Sequence, residues 1–384
     1  MTQIKTKIDE FTSVLIPDTK NIESLELWRR FANRIMHKIE RQLHFDKLGT
    51  NTVSTSFPAG YTSGLHFSNN YLAIAINDDS PRMGIILRIS AKALTEYMRM
   101  MTSKIDKDYQ VTNIFQELNQ IASEEDLLFR LTKIDATCDM IDYPNLTVDN
   151  LYSDLLNGKL QIKDYRGYKS HSSLNGYATN GVTDTFYIGS RKAGTQCFLR
   201  VYNKKQEIFD QKAPSDSEYE QAKSATSWVR FECVNKGERA HKITNQVLSV
   251  KDNSELSSLI YQLVSDKFRF FDTKLNDWYF VTNEMLKGIN TRKDTIHYDS
   301  TITDDIDKKM AYFFSSSAGL ESLMYIIKEL RGKESLNQFL EDLKEYNENS
   351  YVPSTNVLKF VRRKKLEQRD LIIKQANPDD EPPI

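Results

Sequence analysis

The chain has 384 residues, with 52 lysines and arginines against 53 aspartates and glutamates, so its formal net charge is −1. This length predicts two or three domains, and 39% hydrophobic with 27% charged residues is typical of a water-soluble globular protein. No apolar run approaches the ~20 residues of a membrane span, and the amino terminus lacks the apolar stretch of a signal peptide. We therefore expect a cytoplasmic protein with no membrane partner.

The cysteine and histidine patterns exclude several classes of site. The three cysteines, Cys138, Cys197 and Cys233, are far apart in sequence, and no CxxC, HxH or HExxH motif occurs. Neither a zinc ribbon nor a disulfide framework is supported, and a reducing compartment fits best. The absence of GxxxxGK[ST] and GxGxxG argues against a nucleotide-driven motor.

Elements of both kinds are predicted along the first two thirds of the chain. The hydrophobic periodicity and the turn residues predict, in chain order, a helix over Asn21–Leu48, a loop over Asn51–Gly64, strands over Tyr71–Asn77 and Gly84–Ser90, a helix capped by Ser90 that runs to Met101, and a helix over Asp108–Ser123. From Leu131 the pattern changes to strands. These are LTKIDATCDM, LQIKDYRGY, TFYIGSR, QCFLRVYNK and SWVRFECVN, with a helix over Thr147–Leu156 after the first of them.

The last third is predicted to be helical, over Ser254–Phe271, Asp304–Leu330, Leu336–Tyr346 and Thr355–Ala376. The expected fold is therefore α+β, with a central antiparallel-sheet domain and flanking helices. The predicted divisions are an N-terminal helical segment over residues 1–50, the sheet domain over 51–252 as the candidate catalytic domain, a helical C-terminal region over 253–376 and a disordered tail over 377–384.

Three of the strands each combine an apolar face with an ionisable face, because side chains alternate across a strand. The ionisable faces carry Lys133, Asp135, Thr137 and Asp139, then Phe198, Arg200, Tyr202 and Lys204, then Trp228, Arg230 and Glu232. If these strands are neighbours in one antiparallel sheet, carboxylates converge with a tyrosine flanked by two cations. Carboxylate oxygens suit Mg²⁺ or Mn²⁺, and Arg200 and Lys204 are expected to lower the pKa of Tyr202 by favouring its phenolate.

These residue types are typical of a phosphoryl-transfer site, but the same pattern has a second explanation. An antiparallel sheet usually has one solvated face, on which charges form cross-strand pairs without a catalytic role. Tyr187 is also a candidate nucleophile, and the periodicity does not choose between it and Tyr202.

Several segments resemble the Rep_trans family, the rolling-circle replication initiators of small Gram-positive plasmids. Leu199–Glu207 (LRVYNKKQE), preceded by Phe186–Lys192 (FYIGSRK), is similar to the family's active-site segment, which contains RIYNK. Leu131–Asp139 is similar to the family strand of the type TRLDLAFD, and Trp228–Val234 to its WRVEIEL strand, in the same order. The resemblance covers about residues 70–250, and this chain is longer at its C-terminal end.

The resemblance implies a DNA strand transferase that uses Mg²⁺ or Mn²⁺. Tyr202 would attack the scissile phosphate of a double-strand origin, at a locally single-stranded or hairpin site, remain linked to the 5′ phosphate and leave a 3′-OH primer. The assigned catalytic partners are Arg200 and Lys204, and the assigned metal ligands, at matching acidic positions, are Asp135, Asp139 and Glu232. A homodimer and a host replicative helicase are the further partners that the family implies.

Basic residues elsewhere are candidate DNA contacts. Lys359–Lys374 holds seven basic and two acidic residues, which as a helix would follow phosphates or enter a major groove; the alternative is a solvated helix face. The loop Arg166–Ser173 combines aromatic and basic residues suited to single-stranded DNA. The predicted DNA-binding residues are Lys205, Arg191, Arg230, Arg362, Arg363, Lys364 and Lys365.

Two other functions are compatible with these residues. A relaxase of a mobilisable or integrative element would use the same chemistry at a transfer origin. A non-catalytic, sequence-specific DNA-binding regulator would bind DNA without Tyr202 and form no metal-dependent product.

Overall fold

The computed structural model describes residues 2–18, 22, 24–49, 57–67, 71–168, 173–179, 181–192, 194–211, 216–290, 320–350, 352, 361, 362 and 365. The chain forms two compact units, Met1–Ile296 and His297–Ile384. It therefore divides after residue 296, whereas the sequence pattern predicted a boundary after residue 252. No helix within the described ranges is long and apolar enough to cross a membrane. The predicted tail over residues 377–384 lies outside the described residues.

Two antiparallel sheets and nine α-helices account for the described part of the first unit. The strands of the larger sheet are β1 (Gln3–Pro17), β2 (Ser63–Phe67), β3 (Leu72–Ile76), β4 (Ile85–Ile89), β5 (Leu127–Ile141), β7 (Leu174–Thr179), β8 (Val182–Ile188), β9 (Cys197–Asn203) and β10 (Trp228–Lys236). Those of the smaller sheet are β6 (Leu160–Lys163), β11 (Arg269–Asp272) and β12 (Asp277–Trp278). The helices are α1 (Leu25–Gln42), α2 (Ala91–Lys104), α3 (Val111–Glu124), α4 (Val148–Leu156), α5 (Lys204–Asp210), α6 (Asp216–Ser224), α7 (Gly237–Leu248), α8 (Asn253–Ser265) and α9 (Phe280–Lys287).

The second unit contains α10 (Leu320–Asn349), which covers the end of the predicted helix over Asp304–Leu330 and all of the one over Leu336–Tyr346. It bends at Gly332, whose φ of 85° interrupts the helical backbone. Most of the predicted helix over Thr355–Ala376 lies outside the described residues.

The larger sheet places the three ionisable strands side by side. Within the described residues its order is β2-β3-β4-β1-β5-β10-β9-β8-β7, and every pairing is antiparallel. β10 lies between β5 and β9, so the expected neighbourhood of these strands is confirmed, as is the α+β class. The apolar face of β5, with Ile134, Ala136, Cys138 and Met140 fully buried, packs against α3, α7 and α8.

Local signals account for the helix ends that the sequence predicted. The Ser90 hydroxyl accepts a hydrogen bond from the Ala93 N–H at the start of α2, and the Thr147 hydroxyl accepts one from the Asn150 N–H at the start of α4. These caps satisfy N–H groups that have no partner inside the helix.

The prediction of a helical segment over residues 1–50 is wrong for residues 3–17. They form β1, which lies between β4 and β5 in the interior of the sheet. The pairing of β1 with β5 shifts between Ile8 and Glu10 and again between Thr12 and Ser13. Such irregularities break the two-residue alternation by which a strand is recognised in a sequence.

Three other segments differ from their predictions. The last two residues of the expected loop, Ser63 and Gly64, belong to the edge strand β2. Only Leu160–Lys163 of the predicted strand LQIKDYRGY is extended, and it belongs to the smaller sheet. The predicted helix Ser254–Phe271 ends at Ser265 because Arg269–Asp272 pairs with β6 as β11. β6 and β11 pair with each other although they are far apart in sequence, so a tertiary contact determines their structure, whereas β2 pairs with β3, the next strand along the chain.

Candidate active site

The register of the sheet brings the predicted site residues into adjacent rows. Arg230 of β10 pairs with Asp139 of β5 on one side and with Tyr202 of β9 on the other. Glu232 likewise pairs with Arg200 of β9. Directly paired residues of antiparallel strands lie on the same face, so these side chains meet on the face opposite the apolar core.

Arg230 is the centre of a buried ionic network and is only 1% exposed. Its Nε and Nη2 donate to the two carboxylate oxygens of Asp139 at 2.5 and 2.7 Å. Its Nη1 donates to Asp9 Oδ1 at 3.2 Å and lies 3.5 Å from Tyr202 Oη. Burial alone would raise the pKa of Asp9, but Arg230 and Lys7 hold it well below the usual aspartate value.

The hydroxyl of Tyr202 is a poor acid in this environment. Tyr202 is 3% exposed, and burial raises its pKa well above that of a free tyrosine, although Arg230 partly opposes the effect. Arg200 stacks 4.1 Å from the centre of the ring, and Lys204 Nζ donates to Glu207 at 2.5 Å. The expected lowering of the Tyr202 pKa is therefore wrong, because burial, which raises that pKa, is the largest effect.

A cavity of about 840 Å³ opens onto this face of the sheet. Tyr202, Arg200 and Lys204 line it, whereas Tyr187 does not. Seven carboxylate side chains and five lysine or arginine side chains line the cavity. The carboxylates belong to Asp9, Glu10, Glu96, Asp135, Glu207, Glu218 and Glu232, and the cations to Lys7, Lys92, Arg99, Arg200 and Lys204. An excess of carboxylates over lysines and arginines in one cavity favours the uptake of a cation.

Asp135 and Glu232 are the predicted metal ligands that reach the cavity. Burial raises the pKa of Asp135 to about 8, with Lys133 opposing and Glu10 adding to the effect. Burial and Asp9 also raise the pKa of Glu232. Asp135 Oδ2 accepts from Lys133 at 2.9 Å, while its buried Oδ1 has no hydrogen-bond partner.

This donor set fits a hard divalent cation that binds together with a phosphate. Among the described residues no group of three or more histidine, cysteine, aspartate or glutamate side chains is arranged to hold a metal ion. Mg²⁺ is commonly held by one or two carboxylates, with substrate phosphates and water completing its shell. The partnerless oxygen of Asp135 beside Glu232 satisfies that requirement.

Asp139 does not fit its predicted role as a metal ligand. Both of its oxygens accept from Arg230, and it does not line the cavity. Asp9 and Glu10, which the sequence analysis missed, line the cavity instead. The shift in the pairing of β1 next to Asp9 allows two consecutive residues to reach the same side, and the pair of adjacent acids in a strand-like segment was the available signal.

The predicted DNA-binding residues lie in different surroundings. Arg191 is exposed, whereas the Lys205 Nζ donates to the Ala225 carbonyl at 2.6 Å. The prediction of a DNA contact for Arg230 is wrong, because its guanidinium is buried against Asp139 and Asp9. Arg362 and Lys365 are exposed residues of the second unit, and Arg363 and Lys364 lie outside the described residues.

Comparisons with known proteins agree with the fold and with the position of these strands. The family model of replication initiation factors, Rep_trans, matches residues 129–363, more than half of the chain and including β5, β9 and β10. The solved structure of a rolling circle replication initiator protein from Geobacillus stearothermophilus is similar, with a TM-score of 0.51 and 16% identity over 76% of this chain and 99% of that one. At this identity the likeness supports the fold alone. No curated protein sequence matches the chain.

Proposed function

This chain belongs to the Rep_trans family of replication initiation factors, and from that membership we propose that it starts rolling-circle replication by nicking one strand of a double-strand origin through Tyr202. The observation that carries the proposal is the position of Tyr202. It lines the same cavity as Asp135 and Glu232, and its hydroxyl lies 3.5 Å from the Arg230 guanidinium.

The proposed reaction is a transesterification. Tyr202 Oη bonds to the scissile phosphorus while the bond from phosphorus to the 3′ oxygen breaks. Because burial keeps the phenol protonated at neutral pH, its proton must leave as the new bond forms, and the carboxylate of Glu207, which lines the cavity, is the proposed acceptor. The 3′ oxygen takes up a proton from that carboxyl group or from solvent and becomes the primer. The tyrosine ester conserves the energy of the phosphodiester, so that the same site can rejoin the strand.

The cations of the site support this reaction in two ways. Arg200 and Lys204 line the cavity and would stabilise the negative charge that develops on the phosphoryl oxygens. Arg230 is held by Asp139 and Asp9, and so it keeps the Tyr202 hydroxyl in a fixed position. Preorganised donors of this kind need no rearrangement during the reaction.

Asp135 and Glu232 would hold a Mg²⁺ or Mn²⁺ ion, and Glu10 lies close enough to raise the pKa of Asp135. A bound ion would polarise the scissile phosphate and help to orient it. Burial disfavours the ionised forms of Asp135 and Glu232, and a bound divalent cation would compensate that cost, which is why these acids support metal dependence.

The partners proposed for this activity follow from family membership. They are origin DNA with a locally single-stranded or hairpin nick site, a second copy of the chain in a homodimer, and a host replicative helicase. Replication of an extrachromosomal element would place the protein in the cytoplasm.

The test uses the purified full chain, Mn²⁺ or Mg²⁺, and a supercoiled plasmid that carries the origin of the element encoding it. We expect a relaxed product with protein attached to the 5′ end. Tyr202→Phe should abolish the adduct, whereas Tyr187→Phe, the matched control on the same face of the sheet, should form it. Origin binding by the wild type without any adduct would favour the regulator, and cleavage only at a transfer origin would favour the relaxase.

A further inference from the structure

The ionisable face of the sheet continues beyond the cavity onto β8 and β7. Thr185 pairs with Tyr202 on one side and with Tyr177 on the other, so these three residues form one row across the sheet. Tyr187 pairs with Arg200 in the next row. Since neighbouring strands lie 4.7–4.9 Å apart, the backbones of Tyr177 and Tyr202 are ~10 Å apart along this row.

Two tyrosines and an arginine form a compact group at this end of the face. The rings of Tyr177 and Tyr187 meet edge to face, with their centres 5.8 Å apart. The guanidinium carbon of Arg191 lies 4.2 Å from the centre of the Tyr187 ring and 5.3 Å from that of Tyr177. Arg191 Nη2 also donates to the Tyr177 hydroxyl. Tyr177 nevertheless remains 50% exposed to solvent.

Packing on the opposite face fixes the direction in which these tyrosines point. Gly176 lies directly against the ring of Tyr152 in α4, where any Cβ atom would overlap the ring. Phe186, paired with Gly176, packs on the same tyrosine with ring centres 5.5 Å apart. Gly176 and Phe186 both pack against Tyr152 of α4, so Tyr177 and Tyr187, their neighbours along the two strands, lie on the opposite face.

We propose that Tyr177, Tyr187 and Arg191 form a stacking platform for unpaired bases of the DNA strand whose scissile phosphate enters the cavity at Tyr202. This inference rests on the proposed function, and it adds that the DNA strand bound at that site is unpaired. Aromatic rings and guanidinium planes are the groups on which single-stranded bases stack, irrespective of sequence. Arg200, which pairs with Tyr187 and lines the cavity, connects the platform with the reacting centre.

Because Tyr202 is buried, we expect the DNA strand that reaches it to be unpaired. Its side chain is only 3% exposed at the base of the cavity, whereas the phosphates of a duplex lie on the outside of a stacked helix. A strand whose bases are already unstacked can bend towards the cavity. Bases held ~10 Å away on the platform would replace the stacking that the strand loses on leaving the duplex.

The test measures DNA binding without cleavage. The full chain is titrated in EDTA, at fixed ionic strength, against a fluorescein-labelled 20-nucleotide oligo(dT) and against a duplex of the same length, with fluorescence anisotropy as the readout. We expect Tyr177→Ala to weaken binding of the single strand about tenfold or more, with duplex binding changed less than about twofold. Tyr177→Phe should bind within about threefold of the wild type, since its ring is kept. A 2-aminopurine base in the oligonucleotide should be quenched by the wild type and by Tyr177→Phe but not by Tyr177→Ala.

The matched control is Tyr219→Ala, an exposed tyrosine that also meets another ring edge to face, in this case Phe209. Single-strand binding by Tyr177→Ala at wild-type affinity, or equal losses for Tyr177→Ala and Tyr219→Ala, would overturn the platform. If Tyr177→Ala does not fold, Arg191→Ala at an exposed loop position replaces it, with an expected loss of single-strand affinity of at least about threefold.

The plasmid assay is scored separately. Binding that depends on the platform without an adduct would refute the nicking reaction alone, and an adduct without such binding would refute the platform alone.

Discussion

Arg230 determines the geometry of the candidate active site at the scale of a single residue. One guanidinium joins Asp139 of β5, Asp9 of β1 and the hydroxyl of Tyr202 on β9. A buried charge of this kind is tolerated only because its partners are charged and well oriented, and removal of one member of such a pair typically costs about 3–5 kcal/mol. The position of the Tyr202 hydroxyl therefore depends on side chains from four strands.

We expect Arg230→Lys to lower the single-turnover rate of adduct formation by about 10²–10³-fold, because an ammonium group cannot bind Asp139 with two donors and also reach Tyr202. Origin affinity, measured by anisotropy, should change little since Arg230 is buried. Arg29→Lys, which alters an exposed arginine paired with Asp79, is the control and should retain the wild-type rate. A rate for Arg230→Lys within twofold of the wild type would contradict the assigned positioning role.

His241 makes the free energy of unfolding depend on pH. Burial and the neighbouring Arg130 lower the pKa of His241 to about 4, below the roughly 6.5 of an unfolded chain. Between these values the unfolded chain binds more protons than the folded one, so the stabilisation is complete above about pH 6.5 and is lost as the pH falls towards 4. Between pH 7.5 and pH 5.5, the free energy of unfolding measured in urea should fall less for His241→Gln than for the wild type. Equal losses would show that His241 is not the group responsible.

At the scale of elements, β1 is decisive because it completes both the sheet and the cavity. It pairs with β4 and β5 in the interior of the sheet and supplies Asp9 and Glu10 to the cavity. Ile8 pairs with Ala136 and Glu10 with the adjacent Asp135, so Asp9 is the additional residue in the ladder. An inserted residue of this kind redirects side chains without changing the register on either side.

Deletion of Asp9 should therefore leave the ladder continuous. We expect the melting temperature of this variant to fall by about 5–8 °C, because the core positions keep their register but the buried Arg230 loses one of its two carboxylate partners. Adduct formation should fall by at least tenfold. Deletion of Lys7 is the matched control. It would shift the preceding residues by one position and turn Ile4 away from its present face, so its melting temperature should fall further. The opposite order of melting temperatures would contradict the assigned register.

At the scale of the whole molecule, the chain divides after residue 296, and the first unit contains the whole cavity. The sequence predicted the division after residue 252, where α7 ends and the helical region begins. α8 packs on β5 and on β10, which makes it a part of the same core.

We expect residues 1–296 to unfold in one cooperative transition and to form the Tyr202 adduct on a single-stranded origin oligonucleotide. A fragment that ends at residue 252, the boundary taken from the sequence, lacks α8 and β11 and should show no cooperative melting transition. Calorimetry and a gel assay for the adduct measure both outcomes. A folded, active 1–252 fragment would show that the division derived from the sequence was sufficient.

The sequence by itself determined the α+β class, the strands β5, β8, β9 and β10, the Ser90 cap, the helix predicted from Thr147, and the resemblance that leads to Tyr202. These properties depend on the alternation of apolar and polar residues along a strand, on hydrogen bonds between residues close in sequence, or on contiguous motifs. The tertiary structure decided that Asp139 binds Arg230, that burial raises the pKa of Tyr202, and that Asp9 and Glu10 join the cavity. The physical reason is that ion pairing and desolvation depend on which distant segments meet, and no local pattern records that β1 lies beside β5.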